Sequence, residues 1–524
     1  MQRSRRRSGS KQRRAARAAE NGGRETTGVA SVPNRNVSRA IVAGLVVVSA
    51  FLLLWNLGDQ RLWDDEAQTA LISQTILDHG LPLGHDGVNS FSQEAGAEFG
   101  ADHVYKWHPW LPFYLLAAFF RLFGVSTFTA RLPFALLGIG CPVLVYFLAT
   151  ALLARRRVAI AAATLLVFSV PFLLLAKQCR YYSPAMLLSL LGLYGYASGK
   201  HRSVLAPASV LLFYTQNIYF LTLWLAVLIH AALWKHEWRK ELLLLFTAAA
   251  ALCAPWVIYT LGVSYRQAYP GVLTWAQFLR FLGPYASQIR AYLFSPFVLL
   301  APAVVMVVRV LRKQAPIHRG QWNGVVLLVI YVVVSYLVLC SFSVLPFFRY
   351  LGPMIPVLCL LTALVLEGLA SIHTLVFAAA VAWVILSGNI GRYLHEITHD
   401  FRGPIRGITD YLQRNAKPSD VVAITYGDLP IKFYNHLRVV GGLTGEDLTP
   451  GRSADWIIMR KHVTCVKDLK VGKYLHHNVD WKSYTPITID APDTIFENRE
   501  DPAVHLFESN TTEDKVVILK RTGG

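Results

Sequence analysis

Between residues 40 and 388, long apolar runs alternate with short clusters of Arg and Lys. No other feature restricts so sharply what this chain can become. About 20 predominantly apolar residues, when helical, match the hydrocarbon thickness of a bilayer, and basic clusters stay on its cytoplasmic side. The pattern therefore specifies a polytopic α-helical membrane protein. Composition agrees: 54% of the residues are hydrophobic and 16% charged, against roughly 45–50% and 25% in soluble domains. The runs are continuous rather than alternating, which excludes a transmembrane β-barrel. A chain this apolar is neither disordered nor collagen-like.

The basic clusters orient the spans. Residues 1–38 are rich in Arg and Ser, and read as a disordered basic cytoplasmic tail. Eleven Arg and Lys against two Glu in residues 1–39 give that stretch +9 of the chain's net +19. The charge suits anionic lipid and orientation. No nucleic-acid module follows it, so nucleic acid is not an expected partner. The first span, Ala40 to Leu57, is followed by no small-residue cleavage site and reads as an uncleaved anchor. Arg155-Arg156-Arg157 lies inside only if one crossing separates it from that anchor. Of the two apolar segments available, 110–123 is short and reads as interfacial, and 132–153 as the span. Further spans are expected at 158–176, 184–198, 203–216, 218–234, 242–261, 293–311, 322–341, 351–368 and 372–388. That makes about eleven transmembrane helices, with the N-terminus cytoplasmic and the C-terminus outside.

Three regions then lie on the outer face: the loop 58–131, the aromatic segment 262–292 with Arg266, Arg280 and Arg290, and residues 389–524. The last is abruptly polar. Asp420–Tyr426, Arg438–Gly441 and Trp456–Met459 read as strands, and Leu429–His436 as a helix, which describes a small outer α/β domain. The transmembrane domain would span 39–388. Most of the six cysteines lie inside apolar runs, and none are spaced as C-x-x-C, so they read as core residues. Cys465 alone falls in the outer domain.

The most informative segment is Trp63-Asp64-Asp65-Glu66-Ala67. Three consecutive carboxylates follow the first span and open an amphipathic run, so they sit at a helix N-terminus near the membrane surface. Acids there suit the helix dipole. Acids at membrane depth are costly and mark functional sites. Farther on comes Tyr105-Lys106-Trp107-His108-Pro109-Trp110, and then Ala130-Arg131-Leu132-Pro133 opens the second span. The loop reads as two interfacial helices bracketing a mobile polar stretch at 84–103.

The succession Asp65-Glu66-Ala67, Ile76-Leu77-x-x-Gly80, His108-Pro109-x-Leu111, Leu122-Phe123-Gly124 and Ala130-Arg131-Leu132-Pro133 resembles the GT-C class of membrane glycosyltransferases. Within that class it is similar to the superfamily of dolichyl-phosphate-mannose protein mannosyltransferases and aminoarabinose transferases. Arg180-Tyr181-Tyr182-x-Pro184 and Phe348-Arg349-Tyr350-Leu351-x-Pro353 fit the same family, as does an outer C-terminal α/β domain.

The resemblance implies an inverting transferase in a bacterial inner membrane. It would take a sugar from a polyprenyl-phosphate donor to a glycan, glycolipid or protein acceptor on the outer side. Asp65 would be the catalytic carboxylate, with Glu66 beside it. A hydroxyl is a weak nucleophile until a carboxylate takes its proton, and a phosphate leaving group needs charge stabilisation. Lys177, Arg180, Tyr181, Arg349 and Tyr350 are the candidates for the donor phosphate; Asp64, His108 and Arg131 are further candidates in the first loop. Relatives carry Glu-Lys-Pro where this chain reads Trp107-His108-Pro109. The acid implicated there in metal binding is thus missing, and a divalent metal remains open, with His103 and His108 as weak candidate ligands. Two rivals are a transporter or flippase for a lipid-linked glycan, which would bury paired charges inside its spans, and a non-catalytic assembly subunit.

Overall fold

The apolar runs become helices because, without water, only intrasegment hydrogen bonds satisfy the backbone. A computed structural model describes residues 35–260, 273–293, 304–305, 307–308, 322–462, 466–508 and 514–522. Its helices begin with α1 (Arg35–Leu54), α2 (Asp64–His79), α3 (Leu111–Phe123), α4 (Thr127–Leu153), α5 (Arg156–Val167) and α6 (Val170–Ala176). They continue as α7 (Tyr182–Ala197), α8 (Ala206–Thr215), α9 (Asn217–Trp234), α10 (Arg239–Thr260), α11 (Trp275–Gln288) and α12 (Trp322–Phe342). After a 3-10 stretch, Phe348–Met354, come α13 (Ile355–Glu367), α14 (Thr374–Leu386) and α15 (Ile390–Thr398).

Among the described residues, six helices are long and apolar enough to cross a membrane, or eight if two bent pairs each count as one. The protein is thus a multi-pass membrane protein. One bent pair is α5 and α6, which meet at 62°, where Pro171 at the start of α6 favours a fresh helix over continuation. The expected spans at 184–198 and 203–216 form α7, of 16 residues, and α8, of 10. At 1.5 Å per residue neither reaches across about 30 Å of hydrocarbon alone. Most of the expected span at 293–311 lies outside the described residues, as do Arg266 and Cys465. The segment read as interfacial is the short α3. In the bundle α4 packs on α7, α5 on α13, and α9 on α12. A Cβ on Gly195 would lie 2.6 Å from the backbone nitrogen of Leu205, so α7 meets the turn before α8 at a separation only glycine allows.

Beyond α15 the chain forms a layered α/β structure. Its elements are α16 (Pro404–Asn415), β1 (Val421–Ile424), α17 (Asp428–Asn435), β2 (Arg438–Gly441), β3 (Trp456–Ile458), α18 (Val466–Asn478), β4 (Tyr484–Pro492) and β5 (Lys515–Arg521). The sheet order is β2-β1-β3-β5-β4; β1 runs parallel to β2 and β3, while β5 is antiparallel to β3 and β4. Strand residues alternate faces. Val422 and Ile424 pack with Ile408 and Leu412 of α16, and Ala423 packs with Val471 and Leu475 of α18.

The α/β layer rests on the loop after α1. There α17 packs on α2, and Leu429 and Phe433 join the core of Ala67, Leu71 and Phe113. Residues 84–103, read from the sequence as mobile, are instead built into this seam. Asn89 donates to the carbonyl of Leu437 at 3.0 Å and accepts from the Val439 amide at 2.9 Å, extending the pairing of β2 through a side chain. The buried Lys432 ammonium donates to the Ser90 carbonyl. The polar residues of this stretch mark protein contacts, which composition does not separate from solvent contacts.

Candidate active site

Helix α2 starts abruptly. Trp63 precedes it in extended conformation without a side-chain cap, and Asp64, Asp65 and Glu66 fill the first turn, where unpaired N–H groups and the dipole favour negative charge. The Trp63 indole donates to the Gln178 carboxamide at 3.1 Å, pinning the helix start to the loop between α6 and α7. Successive helical side chains diverge by about 100°, so the three acids face three environments.

Glu66 is fully buried and forked on Arg131, with Nε and Nη2 at 2.8 and 2.6 Å. It also accepts the Cys179 amide at 2.9 Å. Arg131 spends its other donors on the carbonyls of Leu57, Gln60 and Arg61. The pair ties α2 to α4, to the turn after α1 and to the loop before α7. Such a pair is stable only while both partners remain.

Asp65 points to the other arginines. Its Oδ2 lies 2.6 Å from Arg349 Nη1 and 3.5 Å from Arg180 Nη2. Arg180 is held in place by donating to the Asp65 carbonyl and the Thr69 hydroxyl, both at 3.0 Å. Burial alone would raise the Asp65 carboxyl, but the Arg349 and Arg180 guanidiniums outweigh it and hold the group below its usual value. Arg349 lies 4.2 Å over the Phe347 ring and bridges to Glu500 at 3.3 Å. Beside this cluster is a small pocket of about 40 Å³. Arg180, Tyr181, Arg349 and Tyr350 line it together with His108, Trp107, Gln68 and Glu98.

His108 packs against Tyr181, ring centroids 5.5 Å apart. Burial, then the Arg180 charge, pushes its imidazole down to about 3, so it is neutral at physiological pH. His103 instead packs in tilted contact with His85 and Phe99. Among the described residues no group of three or more His, Cys, Asp or Glu is placed to hold a metal ion. The first-loop residues do not fit the metal site that the resemblance implies, and no step is routed through a metal.

Two sequence candidates lie apart from the pocket. Lys177 is bound at 3.0 Å to Glu396, whose other oxygen is 2.6 Å from His505 Nε2. Asp64 turns toward the α/β layer; burial, then the charges of Asp428 and Glu497, hold its carboxyl well above the usual value. The structure thus brings Asp65, Arg180, Tyr181, Arg349, Tyr350 and His108 together, separates Glu66 with Arg131, and places Lys177 and Asp64 elsewhere.

Sequence reasoning overlooked the segment after β4. Asn498 accepts from the Gln178 carboxamide at 3.1 Å, Arg499 lies 5.5 Å over Trp63, and Glu500 reaches Arg349. The signal was the dense charged run Glu497-Asn498-Arg499-Glu500-Asp501 directly after an apolar strand pattern.

No family model and no curated protein sequence matches the chain. Solved structures do. ArnT from Cupriavidus metallidurans in the apo state aligns with a TM-score of 0.55 at 15% identity, over 93% of this chain and 100% of that one. The same protein bound to undecaprenyl phosphate aligns with a TM-score of 0.52 at 15% identity, over 93% and 99%. At this identity the likeness establishes the fold, and it is the GT-C fold that the motif order led us to expect.

Proposed function

We propose that this chain, a multi-pass protein with the GT-C fold, is a glycosyltransferase that moves a sugar from a polyprenyl-phosphate donor to an acceptor hydroxyl at the outer face of a bacterial inner membrane. The observation that carries the proposal is the buried Asp65 carboxylate held between Arg349 and Arg180, the two arginines that line a polar pocket. The ArnT structure with undecaprenyl phosphate supports the class of donor. In this reading the N-terminal tail is cytoplasmic, about eleven apolar segments enter the membrane, with the short α7 and α8 reaching only part-way on their own, and residues 389–524 form a periplasmic α/β domain over the pocket. The transferred group is a hexose or pentose.

The chemistry is a single displacement. The acceptor oxygen attacks the anomeric carbon, the bond from that carbon to the phosphate oxygen breaks, and the phosphate leaves with the electron pair, inverting the anomeric centre. Asp65 takes the acceptor proton. Arg349 and Arg180 stabilise the charge gained by the leaving phosphate, for which a guanidinium fork is well shaped. Without donor, the same arginines lower the basicity of Asp65. A donor phosphate that engages them loosens that hold, so donor binding itself makes the base stronger. Gln68, Glu98 and Trp107 offer the hydrogen-bonding groups and the apolar ring face that a sugar needs.

The test is transfer from radiolabelled polyprenyl-phosphate sugars by purified protein in nanodiscs, with Asp65→Asn and EDTA arms. Product from the wild type that survives EDTA and vanishes in Asp65→Asn supports the reading. No sugar released or transferred from any donor, with folded protein and a panel of acceptors, overturns it.

A further inference from the structure

Arg349 carries more negative charge than a catalytic carboxylate requires. Its Nη1 is shared between Asp65 Oδ2 at 2.6 Å and Glu500 Oε1 at 3.3 Å. Glu500 is 5% exposed, and its Oε2 has no hydrogen-bond partner. A buried carboxylate with one oxygen unpartnered is costly, so a side chain there only to fill space would be a poor choice. Nor does it come from the bundle. It arrives on the segment following β4, which is anchored by Gln178 to the Asn498 carbonyl at 3.1 Å and by His505 to Glu396 at 2.6 Å. The α/β layer thus delivers a second anion to the cation beside the pocket.

The charges can be followed through a turnover. Asp65 and Glu500 face Arg180 and Arg349, Arg499 acts on both acids from close by, and burial raises the Glu500 carboxyl against the pull of Arg349. A donor phosphodiester adds one negative charge. Bond cleavage converts it to a phosphomonoester with up to two. At short range inside a protein, one extra like charge is worth kilocalories.

Resting on the donor class proposed above, we propose that Glu500 is a positioning carboxylate that competes with the lipid-linked phosphate for Arg349. It holds the guanidinium in place when the pocket is empty, and it repels the doubly charged polyprenyl phosphate after transfer, promoting its release. Asp65 does the chemistry and Glu500 sets how long the product stays.

The measurement is the affinity of the full-length protein in detergent for undecaprenyl phosphate, with undecaprenol and inorganic phosphate as separate probes. Glu500→Gln keeps the shape and removes the charge. It is expected to bind undecaprenyl phosphate about tenfold more tightly, with undecaprenol unchanged and inorganic phosphate too weak alone to account for the gain. Product inhibition should strengthen, and kcat and KM should both fall. Glu500→Asp, which restores charge, should return affinity toward the wild-type value. Glu500→Ala repeats the test if the Gln variant has a lowered Tm. Wild-type or weaker affinity in the neutral variants, with normal binding by the wild type, overturns the role of Glu500 and leaves the transferase reading standing. No binding of undecaprenyl phosphate by the wild type overturns both.

Discussion

Asp65 and Glu66 are neighbours in the chain, yet their carboxylates serve different arginines: Asp65 lies 2.6 Å from Arg349, and Glu66 lies 2.6 Å from Arg131. One residue of helical rotation separates a carboxylate on the arginines that line the pocket from one sealed in the interior. The first arginine is shared with a second acid beside the pocket; the second is spent on three backbone carbonyls. A doublet that looks like one motif splits into the proposed base and the ion pair that anchors its helix.

Asp65→Asn is expected to lower kcat by about 10²- to 10⁴-fold, the usual worth of a positioned base. Its affinity for polyprenyl phosphate should rise, because both arginines lose a competing carboxylate, and its Tm should fall, because two buried arginines are left short of a partner. Turnover at the wild-type rate would remove Asp65 from the reaction.

Glu66→Gln and Arg131→Met should each destabilise the protein by about 3–5 kcal/mol, since either leaves its partner charged and buried alone. The double variant should lose less than the sum. Thermal unfolding in one detergent measures all three. A single variant with wild-type Tm and no activity would move Glu66 from the foundation to the chemistry.

Asp64→Asn tests the third acid. A carboxyl held above its usual value favours the folded state while protonated, and that advantage is lost as pH rises through the folded value. The Asn variant is neutral throughout. Its Tm should match wild type near pH 4 and exceed it at neutral pH, with transfer retained. Equal pH profiles would contradict the buried setting of Asp64.

The acid side of the pH–rate profile should be flat. Asp65 is held below its usual range, and His108 is pushed down to about 3, so neither titrates near neutrality in the free protein. We expect kcat/KM to stay level from about pH 8 down to about pH 5. An acid limb near pH 6 that disappears in His108→Gln would show that His108 takes up a proton after all.

Hydropathy made the bundle legible, because each span is a local property of its own residues. Asp65, Arg180 and Arg349 were legible for a related reason: the basic clusters mark the expected inner ends of the apolar runs, so charges at the opposite ends stand out. What distinguishes Asp65 from Glu66 was hidden, since it depends on which arginine each meets, 284 and 65 residues away. Lys177 looked like a phosphate ligand from its place at a helix end; its commitment to Glu396 depends on a fold 219 residues later. Glu500 was hardest of all, because charge in a polar region is ordinary until tertiary packing buries it.

The packing of the segment after β4 against Trp63, Gln178 and Glu396 also sets a clock. Every helix of the bundle precedes that segment in the chain, so a ribosome finishes the membrane portion while the cation beside the pocket still lacks Glu500. The completed charge cluster can exist only after residues 498–505 have been made and have packed against Trp63, Gln178 and Glu396. A protein built this way stays incomplete while its bundle is synthesised, and its charge cluster closes only when the last layer docks.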